Sequence, residues 1–237
     1  MSGSARLLPG VVLLHGLAGT SRLLRKMERA LQGAGFATLN VDYASRKRPL
    51  EALAEDIHPA IAGFAENVGE LHFVTHSMGG LLARLYLAKY RPRGLQRVVM
   101  LGPPNNGSEV ADLLKDLAPY RAFFGPAGQQ VGTGQSELLT GLPLPHCAVG
   151  IIAGRRSIAP VSSYFIVPRP NDGKVSVAST RLEGMADHIV LNASHSLMLW
   201  RRDAIDQTIV FLREGRFDQS APRPSPNSHT PGAAATA

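Results

Sequence analysis

Apolar residues in this chain fall into short unbroken runs, separated by longer stretches where they recur every three or four positions. Gly10-Val11-Val12-Leu13-Leu14 is one such run, and Phe36–Val41, Leu71–Thr75, Gln96–Leu101, Ala148–Ala153 and His188–Leu191 follow it. A run without alternation suits a strand buried on both faces, as in a parallel sheet covered by helices. Helical periodicity fills the gaps. Leu23, Leu24, Met27, Ala30 and Leu31 form one apolar face, on a helix starting near Ser21, capped by Thr20 or Ser21 and stopped by Gly33 and Gly35. Leu50, Leu53, Ala54, Ile57, Ile61, Phe64 and Ala65 mark a second helix over about residues 49–68, which Pro59 is expected to kink or split. Leu81, Leu82, Leu85, Tyr86 and Ala88 mark a third. A last helix, from about Trp200 to Glu214, carries Ile205, Ile209 and Leu212 on one face and ends at Gly215. This alternation predicts an α/β domain of about six mostly parallel strands with helices on both faces.

The pattern breaks between Gly102 and about His146, where proline and glycine recur and only a short helix around 110–117 and the pair Phe123-Phe124 look ordered. A long excursion inside a compact domain is usually functional. It is read as a small cap or lid insertion, about residues 103–147, over the C-terminal edge of the sheet; the plainer reading makes it a cover for the core. The domain itself is expected to span 1–217. The Pro/Ser/Ala-rich stretch 218–237 lacks apolar bulk and is expected to be a disordered tail.

Composition narrows the function classes. A chain of 237 residues with 44% apolar and 18% charged positions can bury a full core in one domain. Its net charge of +7 is spread over scattered arginines and lysines, and no nucleic-acid module accompanies them. A solvated basic surface is the expectation, with weak peripheral attraction to acidic lipid as the lesser reading and no nucleic-acid partner. A single cysteine, Cys147, excludes an intramolecular disulfide and reads as a small buried hydrophobe. With neither a secretory leader nor a transmembrane stretch legible, a cytoplasmic location is expected.

The candidate chemistry centres on Thr75-His76-Ser77-Met78-Gly79-Gly80, set between an apolar strand and a strongly helical run. That is the setting of a nucleophile elbow, a turn so tight that its neighbours two residues away must be small. Gly79 satisfies this on the helix side, whereas Thr75 replaces the usual glycine on the strand side. Alternatively, Ser77 is a helix N-cap. Asp172, in Asn171-Asp172-Gly173, follows the fifth strand after a loop, and His195 follows the sixth. Asp172-Gly173 is also a good turn sequence in its own right. Of the rival acids, Asp187 precedes its strand and Asp203 follows the histidine. His15 and His76 read as supporting or packing residues, and His188 as structural. No histidine, cysteine and carboxylate group at metal-ligand spacing, so neither metal nor cofactor is expected.

Taken together, Val-Leu-Leu-His15-Gly16, the Ser77 hexapeptide, Pro104-Asn105-Asn106-Gly107-Ser108, Asn171-Asp172-Gly173 and His195 resemble the α/β-hydrolase superfamily, in particular its small lipase and esterase branch. The resemblance covers roughly residues 10–215 and implies the α/β-hydrolase fold with a catalytic triad of Ser77, Asp172 and His195. It also implies an oxyanion hole made by the backbone N–H groups of Leu17 and Met78. Leu113, Leu114, Leu117, Phe123 and Phe124 are expected to wall an acyl pocket, or alternatively only to fill the core beneath the excursion. The implied activity is hydrolysis of small-molecule or lipid-like carboxylic esters through an acyl-enzyme on Ser77. A thioesterase, an acyltransferase or a glycolipid deacylase would use the same triad, and a non-catalytic binding module on this fold is the reading from another class.

Overall fold

A computed structural model describes residues 7–132, 141, 145–157 and 167–220; the expected tail from residue 221 onward and most of 133–147 lie outside these described residues. Six strands form one sheet: β1 (Gly10–Leu14), β2 (Ala37–Val41), β3 (Leu71–His76), β4 (Leu95–Leu101), β5 (Ala148–Gly154) and β6 (Asp187–Leu191). All neighbours pair in parallel, in the order β2-β1-β3-β4-β5-β6. The chain starts inside the sheet, steps outward to β2, then crosses β1 to β3 and proceeds the other way. Ligands of open parallel sheets bind at such a reversal, outside the C-terminal ends of the strands. Register makes the point specific, because Leu14 at the end of β1 lies opposite Thr75 of β3. The loops after these two strands therefore leave the sheet side by side.

Residues along each strand alternate between two cores. Val12, Leu14, Phe73, Val98, Met100 and Ile151 pack on one face with α2 (Leu50–Ala65) and α3 (Met78–Tyr90). Val11, Leu13, Val74, Val99, Leu101 and Ile152 pack on the other with α1 (Arg25–Gly33) and α7 (Arg202–Glu214). Every residue of β1 is buried, which is why no polar alternation marks it.

Three expectations about helices need correction. Pro59 does not split α2, which runs through it as one element. Pro59 is exposed while Ile57 and Ile61 are buried on either side, so both halves stay anchored to the core. Thr20 makes no side-chain cap; the chain enters α1 through a 3-10 turn, Ser21–Leu24, whose first N–H is taken by Asp42 Oδ1 at 3.0 Å. The excursion after β4 holds α4 (Glu109–Leu114) and α5 (Ala118–Gln129), so Phe123-Phe124 lie on a helix. Gly125, at φ 62° and ψ −161°, interrupts α5. A short α6 (Val177–Thr180) precedes β6. Among the described residues no helix is long and apolar enough to cross a membrane.

Candidate active site

Strand β3 delivers Ser77 to the C-terminal rim, where its backbone turns sharply to φ 53° and ψ −127°. An N-cap serine has extended backbone and accepts a helix N–H with its side chain. Ser77 does neither, so the N-cap reading fails. The turn is held by Ser77 N–H donating to Leu101 O and Gly80 N–H donating to Ser77 O, each at 2.9 Å. A Cβ at Gly79 would stand 2.5 Å from Leu14 O and 2.6 Å from His15 O, so only glycine lets α3 begin this close to the end of β1. Thr75 takes the strand-side position with its hydroxyl buried and without a hydrogen-bond partner among the described residues.

The loop after β1 runs beside this turn. A Cβ on Gly16 would lie 3.0 Å from the Ser77 Cβ. Burial lowers the pKa of His15, whose ring stacks on Tyr43 with centroids 4.0 Å apart. Tyr43 N–H donates to His15 Nε2 at 3.4 Å, which leaves the proton on Nδ1 to be donated to Gly16 O at 2.9 Å. The Tyr43 hydroxyl donates to His15 O. Ala18, at φ 56°, donates its N–H to Ser45 Oγ at 3.1 Å. These contacts hold the loop in a conformation that leaves Leu17 N–H without a hydrogen bond among the described residues. Met78 opens α3, where N–H groups have no intrahelical acceptor.

His195, which lines one cavity with Ser77, meets Asp172. His195 Nδ1 lies 2.7 Å from Asp172 Oδ2, and a carboxylate only accepts, so Nδ1 carries the proton and Nε2 keeps its lone pair. His195 N–H also donates to Asp172 O at 3.0 Å. The other carboxylate oxygen, Oδ1, accepts from Lys174 N–H at 3.0 Å and Val175 N–H at 2.9 Å. Burial pushes the Asp172 pKa up, but the adjoining His195 ring and the two backbone N–H groups outweigh it and leave the carboxyl below its usual range. Asn171 Oδ1 adds to the turn by accepting from Gly173 N–H at 3.0 Å, while Asp172 gives one oxygen to the turn and the other to the imidazole. The turn and the bond to His195 are thus served by separate oxygens of one carboxylate and do not compete.

The rivals are committed elsewhere. Asp187 accepts from the N–H groups of His188 and Phe217. Asp203 pairs with Arg201 at 2.6 Å. His188 Nε2 lies 3.0 Å from Thr180 Oγ1. Cys147 is half-buried, and burial raises its thiol pKa to about 11. His76 does more than pack. Its Nε2 donates to His195 O at 2.9 Å, and burial followed by the neighbouring His195 pushes its pKa down to about 3. Tyr43, Ser45 and this bond of His76 escaped the sequence reading. The only signal for Tyr43 was its position at the C-terminal end of β2, on the same rim as Ser77.

Ser77, His195, Leu17 and Met78 all line a cavity of about 370 Å³ roofed by the excursion. From α4, Val110, Ala111 and Leu114 face it; from α5, Tyr120, Phe123 and Phe124 do. Leu113 and Leu117, expected there with Leu114, Phe123 and Phe124, are not among the residues that line it.

A family model described as alpha/beta hydrolase fold matches residues 9–127. The triacylglycerol lipase of Pseudomonas fragi is 31% identical over 112 residues, 44% of this chain and 38% of that protein. That of Pseudarthrobacter phenanthrenivorans is 29% identical over 119 residues, 45% of this chain and 36% of that one. The matched stretch thus spans well under half the length of these curated relatives. Among solved structures, the mature form of Bacillus licheniformis lipase BlEst2 superposes with a TM-score of 0.68 at 20% identity, covering 90% of this chain and 94% of that one. The metagenomic carboxyl esterase MGS0156 gives 0.66 at 20% identity, over 81% and 65%. At that identity the likeness is one of fold.

Proposed function

Since this chain belongs to the α/β-hydrolase family, we propose that it hydrolyses carboxylic esters in the manner of lipases and esterases, with Ser77 as nucleophile. The observation that carries this reading is that His195, bonded to Asp172 at 2.7 Å, lines the same cavity as a serine on a positive-φ turn. A neutral hydroxyl is a weak nucleophile, so Ser77 needs a base. With its proton fixed on Nδ1 by Asp172, His195 presents Nε2 to take the Ser77 proton as Oγ attacks the ester carbonyl carbon. The oxygen of that carbonyl gains negative charge, which the N–H groups of Leu17 and Met78 and the N-terminal dipole of α3 are placed to stabilise. The tetrahedral adduct then collapses, the C–O bond to the alcohol breaks, and His195 returns the proton to the leaving oxygen. Water deprotonated by His195 attacks the acyl-Ser77 ester, and the second collapse releases the acid and regenerates the serine.

We read the helices of the excursion as a cap. Its apolar lining, with Val110, Leu114 and Phe124, favours an acyl chain of medium length, and the triacylglycerol lipase relatives support an acylglycerol or similar lipid-like ester. A series of p-nitrophenyl esters graded by acyl length tests the reading. Turnover above that of Ser77→Ala is expected, peaking at medium chain lengths. Equal rates for the two proteins at every length would refute it.

A further inference from the structure

The segment Pro104-Asn105-Asn106-Gly107-Ser108-Glu109 takes no part in the chemistry proposed above, yet it is bonded along the stretch that carries Asp172. Asn106 N–H donates to Ser179 O, Asn105 Nδ2 to Thr180 O and Asn106 Nδ2 to Arg181 O, each at 2.9 Å. Two further contacts reach the acid-bearing turn itself. Ser108 Oγ donates to Lys174 O at 3.0 Å. Glu109 Oε1 accepts from Ser176 Oγ at 3.2 Å and Ser179 Oγ at 3.1 Å. Ser176 closes the neck of the turn, bridging to Asn171, the neighbour of Asp172. Ser108, Ser176 and Ser179 are all buried, where a hydroxyl bonded to a carboxylate is stronger than in water. Glu109 is also the first residue of α4, which roofs the cavity with Val110, Ala111 and Leu114. One carboxylate therefore joins the roof to the turn.

We propose that Glu109 is a positioning residue: it fixes the turn 171–176 and, through it, the aim of Asp172 at His195, so that the cap and the acid keep their relative place. This rests on the reading of Asp172 and His195 as the working pair. The role requires an acceptor for two hydroxyls rather than a charge, so a glutamine carbonyl can substitute for it.

The test is a double-mutant cycle on the full chain with a short p-nitrophenyl ester. Glu109→Ala is expected to lower kcat about tenfold with KM within about twofold, and Glu109→Gln to restore kcat to within about threefold of wild type. The pair Ser176→Ala/Ser179→Ala reproduces the alanine effect from the other side, and takes its place in the cycle if Glu109→Ala does not fold. Asp172→Asn alone is expected to lower kcat roughly a thousandfold or more, because its amide donates toward Nδ1 and sets His195 in the wrong tautomer. In that background Glu109→Ala has no further effect, since its influence passes only through Asp172. An equal loss in both backgrounds, or a loss confined to thermal stability and KM, overturns the positioning role alone. Wild-type kcat in Asp172→Asn would instead overturn the triad on which it rests.

Discussion

His76 Nε2 donates to the backbone carbonyl of His195 at 2.9 Å, so the residue next to Ser77 holds the loop that carries His195. The bond links the ends of β3 and β6, which are not neighbours in the sheet. His76→Phe keeps a ring of similar bulk but removes the donor. It is expected to lower kcat about tenfold while leaving KM for a short ester nearly unchanged, because one buried hydrogen bond to a loop carbonyl is lost. Steady-state kinetics with a single ester check this, and an unchanged kcat would show that the His195 loop holds its place without the bond.

The Ser77 backbone lies where side chains are disfavoured, at φ 53° and ψ −127°. Such a conformation costs on the order of 1–3 kcal/mol, whereas glycine adopts it freely at an unfolded-state entropy cost of about 1 kcal/mol or less. Ser77→Gly is therefore expected to melt no lower than Ser77→Ala, and both to be inactive. Calorimetry of the two variants decides the point; a clearly lower Tm for the glycine variant would mean the elbow stores no strain.

Residues of the excursion divide by the direction they face. Leu114 lines the cavity and Leu113 is 57% exposed, although they are adjacent in sequence. Leu114→Trp is expected to shift acyl preference toward shorter chains, with a loss of about tenfold in kcat/KM on the longest ester, while Leu113→Trp leaves the profile as it is. The graded ester series reads both.

Acid stability follows from the buried histidines. Burial holds His76 at about 3 and, as the largest influence, His72 and His188 at about 4, against about 6.5 in the unfolded chain. Below pH 6.5 the unfolded chain binds protons that the folded chain refuses. Stability is then full above about pH 6.5 and lost as pH falls toward 4, at up to about 1.4 kcal/mol per pH unit for His76. The Asp172 carboxyl sits below the usual carboxylate range, so its own contribution is lost only at lower pH still. Thermal melts from pH 7.5 to 4.5 should show a falling Tm, with a shallower fall for His72→Leu; a flat profile in wild type would contradict this assignment of charge states.

Much of this architecture was legible because burial leaves a direct mark on composition. Val11–Leu14, Phe73-Val74 and Val98–Leu101 are covered on both faces, and their unbroken apolar runs say so. The elbow was legible because a strand, a tight turn and a helix must follow one another within a few residues. What escaped depends on contacts between distant segments. Pro59 carries a local penalty of about 3 kcal/mol, but Ile57 and Ile61 bury enough surface on the core to keep one helix. A stripe containing Leu113, Leu114 and Leu117 does not say which residue faces inward until the sheet beneath it is in place. Tyr43 and Ser45 support a loop through contacts 28 and 27 residues apart in the chain, and no spacing rule connects them.

The proposed chemistry stands on activation of the Ser77 hydroxyl by His195. The most direct measurement is reaction of the folded full chain with a fluorophosphonate, followed by mass-spectrometric mapping of the adduct. Stoichiometric labelling at Ser77 is expected, abolished in Ser77→Ala and slowed at least a hundredfold in His195→Ala. Labelling that falls on another residue, or a Ser77 that stays unmodified while the protein remains folded, would contradict it.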